Sequence, residues 1–234
     1  MIKTELIDLG TLNYRDAWAR QQLLLERLKE EKRLGKLSVN YLLLVEHPHV
    51  YTIGRNGDMQ NMLIDAIQLK AKNAEFIKVD RGGDITYHGY GQLVVYPVIR
   101  LDMFETGIKE YIYRMEEAVI RTVSKYGIKS GRVKGAIGVW LDAGTQAARK
   151  ICAIGVRCSG FVTMHGLALN VNTDLNYFNY INPCGFVDKG VTSIEKETRH
   201  KVDFDEIKAL TVQNFSEVFG MEFVYTNTLT NSLK

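Results

Sequence analysis

Proline is scarce, with 3 in 234 residues, so no proline-rich linker divides the chain. Cysteine is equally scarce. Cys152, Cys158 and Cys184 make an odd count with no CxxC pair, which argues for reduced thiols and against a disulfide framework or a thiolate zinc site. No apolar run approaches the roughly eighteen residues that cross a bilayer, and no charged-then-apolar leader opens the sequence. Neither membrane insertion nor export is expected, and the expected location is cytoplasmic. A strong charge excess is also missing: 30 Lys and Arg against 27 Asp and Glu leave +3, with the basic residues scattered rather than interleaved with aromatics. No nucleic acid partner is expected from that pattern. The phosphate-loop pattern GxxxxGK[ST] is absent and no GxGxxG opens a helix, so nothing calls for a nucleotide.

What is present suits one sizeable core, since 46% of the residues are hydrophobic and 24% charged, and residues 1–234 are expected to form a single domain. After a short opening strand, "NYRDAWARQQLLLERLKEEKRLG" places Tyr14, Ala17, Trp18, Leu24, Leu25 and Leu28 at helical spacing, with Asn13 as cap and Gly35 as terminator. "YLLLVEHPHVYTIG" changes period and predicts two buried strand pieces around Pro48. Further helices are predicted over 64–72 and over "IKEYIYRMEEAVIRTVSKYG", which stops at Gly127. "FIKVD", "GQLVVYPVIRL", "VKGAIGVWLDA", "KICAIGVRC" and "GLALNV" read as strands, and "DFDEIKALTVQNFSEVFG" as the closing helix. Helices mixed with consecutive strands imply an α+β fold with a mixed or antiparallel sheet.

Two stretches carry chemistry. "RGGDITYHGYGQ" (81–92) concentrates glycine with Arg81, Thr86, Tyr87 and His88, which suits the wall of a binding site where backbone approaches a ligand. The same pattern also fits a glycine-rich hairpin whose Tyr87 and His88 are structural. In "INPCGF", Pro183 and Gly185 preset a turn around Cys184, making that thiol the better nucleophile. Cys152 and Cys158 lie in apolar strand sequence and read as buried packing residues. A free thiol titrates near ~8.5, so an adjacent cation is needed to activate it. Local pattern leaves Lys150, His88 and His165 open for that role. His47 and His49 around Pro48 lack a third convergent ligand and read as structural or substrate-facing, so no metal site is expected.

These motifs together resemble the octanoyltransferases of lipoate biosynthesis, also called lipoyl(octanoyl) transferases, over nearly the whole chain. "LGTLNYRDAWARQ", "LLLVEHPHVYTIGR", "RGGDITYHGYGQLVVYP", "RKICAIGVR", "TMHGLALNV" and "INPCG" followed by "VTSI" occur in the family's order. The resemblance implies an α/β fold of mixed, largely antiparallel sheets with flanking helices, like the catalytic domains of biotin- and lipoate-protein ligases. It implies transfer of an octanoyl group from octanoyl acyl carrier protein to a lysine of lipoyl domains of 2-oxoacid dehydrogenases and of the glycine-cleavage H protein, without a cofactor. By the resemblance Cys184 is the acyl-thioester nucleophile and Lys150 its partner. Arg81, Gly82, Gly83, Asp84, Ile85, Thr86, Tyr87 and His88, with Ala153, Ile154, Gly155, Gly166, Leu167 and Ala168, are implied to contact substrate. Tyr90 replaces the family's usual proline. Two rival functions remain at this stage: an ATP-dependent lipoate or biotin ligase on the same fold, and a non-catalytic lipoyl-domain or carrier binder.

Overall fold

Asn13 accepts the Asp16 backbone N–H at 3.0 Å and so starts α1 (Tyr14–Arg33), whose buried stripe includes Tyr14, Ala17, Leu24, Leu25 and Leu28. The computed structural model describes residues 1–182 and 190–224. Helix α1 links β1 (Ile2–Thr11) to β2 (Asn40–Glu46), and the two strands pair in parallel. Chain reversal at Pro48 then sends β3 (Val50–Ile53) into a different sheet, so the two pieces of one apolar run are not neighbours. The small sheet has the order β4-β3-β5, with β4 (Glu75–Lys78) parallel to β3 and β5 (Ile85–His88) antiparallel to it. Between β3 and β4, α2 (Ala66–Ala71) is shorter than the 64–72 prediction because Asp65 caps it through a reciprocal pair with Gln68.

The large sheet continues with β6 (Gln92–Val98), β7 (Gly131–Val133), β8 (Ala136–Leu141), β9 (Arg149–Ser159), β10 (Val162–Asn170), β11 (Gly190–Val191) and β12 (Met221–Val224). Its order is β12-β1-β2-β6-β10-β9-β8-β7, with β11 beside β9. β12 pairs in parallel with β1 and β11 in parallel with β9, while the β2-β6-β10-β9-β8-β7 run is antiparallel. The fold is thus α+β with mixed sheets. Helix α3 (Ile108–Ser124) and the closing helices α4 (Ile194–Thr198) and α5 (Phe204–Phe219) complete the order. The prediction that the last helix closes the fold is corrected by β12: Gly220 turns in the left-handed region, and Met221, fully buried, begins a strand beside β1.

One face of the large sheet packs under α1 through Leu43, Val45, Val94, Tyr96, Met164 and Ala168. The other face packs against α3 and α5 through Leu42, Leu93, Val95, Leu167, Met115 and Phe215. Both faces being covered explains the continuous apolar runs of β2 and β6. No described helix is long and apolar enough to cross a membrane.

Candidate functional site

A cavity of about 660 Å³ opens between β9, β10 and β6 on one wall and the 81–88 stretch on the other. The sequence-selected Arg81, Gly82, Gly83, Asp84, Ile85, Thr86 and His88 line it, as do Lys150, Ala153, Ile154, Gly155, Gly166, Leu167 and Ala168. Cys184 lies outside the described residues. Tyr87 is the exception among the described positions. Its ring packs in the small-sheet cluster with Tyr51, Ile53 and Phe178: its hydroxyl meets His49 Nδ1 at 2.7 Å, and the ring stacks on Tyr177 at 4.9 Å. Tyr90, exposed, sets its ring edge-on to His49 at 5.1 Å.

Lys150 reaches the cavity through a local irregularity. Val139 pairs with Cys152 but Trp140 pairs with Lys150, so Ile151 is an extra residue on β9. Such a bulge changes the phase of alternation. Ile151 and Cys152 consequently both enter the core against α3, while Lys150 shares the cavity with Ala153 and Gly155. Gly138 makes room: it has φ +121°, and a Cβ there would stand 2.5 Å from Cys152 O and 3.5 Å from Lys150 Cδ and Cε. The Lys150 ammonium lies 4.6 Å over the Trp140 ring.

The 81–83 loop is tied to the sheet by Gly82 N–H donating to Val156 O at 2.9 Å. The Arg81 guanidinium, nearly buried, donates to Thr52 O at 2.8 Å, to Thr52 Oγ1 at 2.9 Å and to Gly82 O at 3.0 Å. The Thr52 hydroxyl, already an acceptor, donates to His88 Nε2 at 3.3 Å. His88 Nδ1–H donates to Gln92 Oε1 at 2.8 Å, because the Gln92 amide nitrogen is directed to Tyr87 O and Asn170 Oδ1.

Two further histidines have their tautomers fixed by their partners. His165 Nε2–H donates to Asp80 Oδ1 at 2.8 Å, leaving Nδ1 to accept from the Tyr14 hydroxyl at 3.4 Å; Arg157 holds the other Asp80 oxygen. His47 Nδ1–H donates to Leu12 O at 2.7 Å, so Nε2 accepts from the Tyr96 hydroxyl at 2.8 Å. Burial holds all three neutral: it pushes His47 down to about 4, His88 well below the usual range, and His165 down despite Asp80. The hydrogen bond from His165 lowers Asp80 in turn. His165 has φ +60° within β10, and its backbone N–H donates to the buried Gln21 Oε1 at 2.8 Å. That is a strained backbone position held by helix α1.

Of the other thiols, Cys152 is fully buried and burial pushes it up. Cys158 corrects the sequence reading, being exposed on β9 rather than part of the core. Sequence reasoning also passed over Tyr14, Gln92, Val94 and Tyr96, all of which line the cavity. The period-2 spacing of 92, 94 and 96 marks one strand face, but which face meets a cavity is decided by the packing of α1.

The family model for the lipoyl protein ligase A/B catalytic domain matches residues 13–216. An octanoyltransferase of Bacteroides thetaiotaomicron is 56% identical over 207 residues, covering 88% of this chain and 91% of the relative. One from Flavobacterium johnsoniae is 50% identical over 229 residues, covering 95% and 99%. Among solved structures, a lipoate-protein ligase A bound with ATP superposes with TM-score 0.72 at 18% identity, covering 96% of this chain and 89% of that one. A bipartite lipoate protein ligase of Thermoplasma acidophilum gives 0.68 at 20% identity, covering 97% and 87%. At that identity the structural likeness speaks for the fold alone. From the family model and the close relatives, the chain belongs to the lipoyl protein ligase A/B catalytic domain family, among its octanoyltransferases, which are acyltransferases.

Proposed function

We propose that this chain, as one cytoplasmic domain over 1–234, moves an octanoyl group from octanoyl acyl carrier protein to a protein lysine through a thioester on Cys184. The acceptors are lipoyl domains of 2-oxoacid dehydrogenases and the glycine-cleavage H protein. The coarser activity, octanoyl transfer in protein lipoylation, follows from its relatives. One observation carries the finer reading: Lys150, bulged into the cavity, pairs in register with Val191, which follows Cys184 by seven positions in the sequence (191 − 184). On the other side of Cys184 in the sequence, Asn182 N–H donates to Asn61 O at 2.9 Å.

The chemistry needs a thiolate and a proton shuttle. The Cys184 thiolate attacks the donor thioester carbonyl, the carrier thiolate leaves, and a proton completes the carrier thiol. The lysine amine of the acceptor then attacks the new thioester; the Cys184 thiolate leaves, an amide forms, and the amine gives up a proton. Lys150 is assigned the charge that favours the thiolate and the return of protons. His88 and His165 reach the same cavity but are held neutral by burial, so neither supplies that charge. Lowering a thiol from ~8.5 to about 7 takes roughly 2 kcal/mol, within the range of one partly desolvated pair. The donor is already a thioester, so no ATP enters.

The test supplies an apo lipoyl domain with either octanoyl acyl carrier protein or free octanoate plus ATP. Transfer from the carrier without ATP, abolished by Cys184→Ala and greatly reduced by Lys150→Ala, is the expected result. Modification from octanoate and ATP alone would make the chain a ligase instead. Carrier or lipoyl-domain binding without any turnover, unaffected by Cys184→Ala, would make it a binding protein.

A further inference from the structure

The cavity has a direction set by the sheet. Its floor crosses β9 and β10 to β6, neighbouring strands in the large sheet. Ala153, Ala168 and Val94 fall in one register row across those three strands, and Gly155 and Gly166 form the adjacent row on β9 and β10. Over β9 and β10 the floor is therefore no taller than a methyl group. Neither glycine tolerates enlargement: a Cβ at Gly166 would stand 2.1 Å from Val95 O, and one at Gly155 would stand 2.9 Å from Gly82 O. On β6 the trough stops, because Val94 and Tyr96 rise from the floor and Tyr14 comes down from α1.

The dimensions match the proposed substrate. Across the floor, from Ala153 on β9 to Val94 on β6 is two strand spacings, about 10 Å at ~4.8 Å each. An extended eight-carbon chain spans roughly 8 Å at about 1.2 Å of reach per bond. We propose that Val94, Tyr96 and Tyr14 form the end wall that sets acyl chain length, with the reacting carbonyl at the Lys150 end of the trough. This rests on the octanoyl-transfer reading given above.

The hydrogen bonds of the wall make it suited to an apolar tail. Both tyrosine hydroxyls are directed to histidine nitrogens, Tyr96 to His47 and Tyr14 to His165, so ring carbon rather than an open polar atom faces the chain end. The rings are held in place by the same bonds, and Tyr14 also stacks on His88 at 5.7 Å. A wall fixed in this way does not yield to added methylenes.

The test compares transfer of six-, eight-, ten- and twelve-carbon acyl groups from acyl carrier protein to a lipoyl domain by the full chain. Val94→Ala and Tyr96→Leu deepen the trough and shift the ten-to-eight ratio upward by about fourfold per methylene admitted. Ala168→Val raises the floor and shifts preference toward six carbons. If Tyr96→Leu fails to fold, the other two substitutions carry the comparison. Folded variants whose length profile matches that of a wild type active on octanoyl groups would overturn the end wall while leaving the transfer reading intact. A wild type that transfers no acyl group at all would remove the transfer reading, and the end wall with it.

Discussion

Trp140 and Lys150 are register partners across β8 and β9, and the Lys150 ammonium lies over the Trp140 ring at 4.6 Å. The indole is itself fixed by its N–H to Ala136 O at 3.0 Å. Ring and bulge together aim the amine. Trp140→Leu is expected to lower transfer by about twofold to thirtyfold, the range of one partly desolvated cation–π contact, whereas Trp140→Phe keeps most of the rate. Steady-state transfer assays on both variants, with thermal melts to separate loss of packing, check this.

Gly138 is a second, backbone device serving the same amine. With φ +121° and Cys152 O only 2.5 Å from where a Cβ would stand, Gly138→Ala is expected to destabilise the chain by about 1–3 kcal/mol and to displace Lys150. Denaturant midpoints and transfer rates should fall together; a variant of unchanged stability would show that the hairpin adjusts freely.

The strained backbone at His165, within β10, predicts a cost remote from the cavity mouth. Gln21 is fully buried, and its Oε1 accepts the His165 N–H at 2.8 Å. Gln21→Leu leaves that N–H without its partner and should cost roughly 1–3 kcal/mol. Gln21→Glu restores an acceptor and recovers part of the loss at neutral pH, measured by urea unfolding.

Acid sensitivity follows from the buried histidines. The His47 pKa falls from its ordinary 6.5 to about 4 on folding because burial disfavours the cation. The unfolded chain therefore binds the proton more readily, and stability is full above about pH 6.5 and declines as pH falls toward 4. His88 and His165 shift in the same direction. Asp80, lowered by the His165 hydrogen bond, adds a further loss only below about pH 4, as the carboxylate is protonated. Replacing His47 with glutamine, which retains a donor and an acceptor, should reduce the stability lost between pH 6.5 and 4 by up to roughly 3 kcal/mol; an unchanged loss would show that His47 is not the titrating group.

Periodicity and capping made α1, α3 and α5 legible, because Tyr14, Ala17, Leu24, Leu25 and Leu28 sit at helical spacing behind an Asn13 cap. Motif content likewise indicated about half of the cavity lining. What the sequence does not display is phase. Nothing in "RKICAIGV" marks Ile151 as the extra residue that turns Lys150 to the cavity, since the bulge arises only against β8. Tyr87 falls outside the cavity lining for a reason the motif does not display either: its ring packs against Tyr51 and Phe178 in the small-sheet cluster. That Tyr14, Val94 and Tyr96 line the cavity is not legible in the sequence, because it depends on α1 and β6, elements remote in sequence, meeting there.

The central claim is that Cys184 carries the acyl group, and intact-mass spectrometry addresses it most directly. The protein and its Cys184→Ala variant are mixed with octanoyl acyl carrier protein in the absence of acceptor. An octanoyl adduct on the wild type, absent from the variant and discharged by an added lipoyl domain, is the predicted result. Transfer to the lipoyl domain with no adduct on the wild type, and undiminished in Cys184→Ala, would contradict it and point to direct attack within a ternary complex.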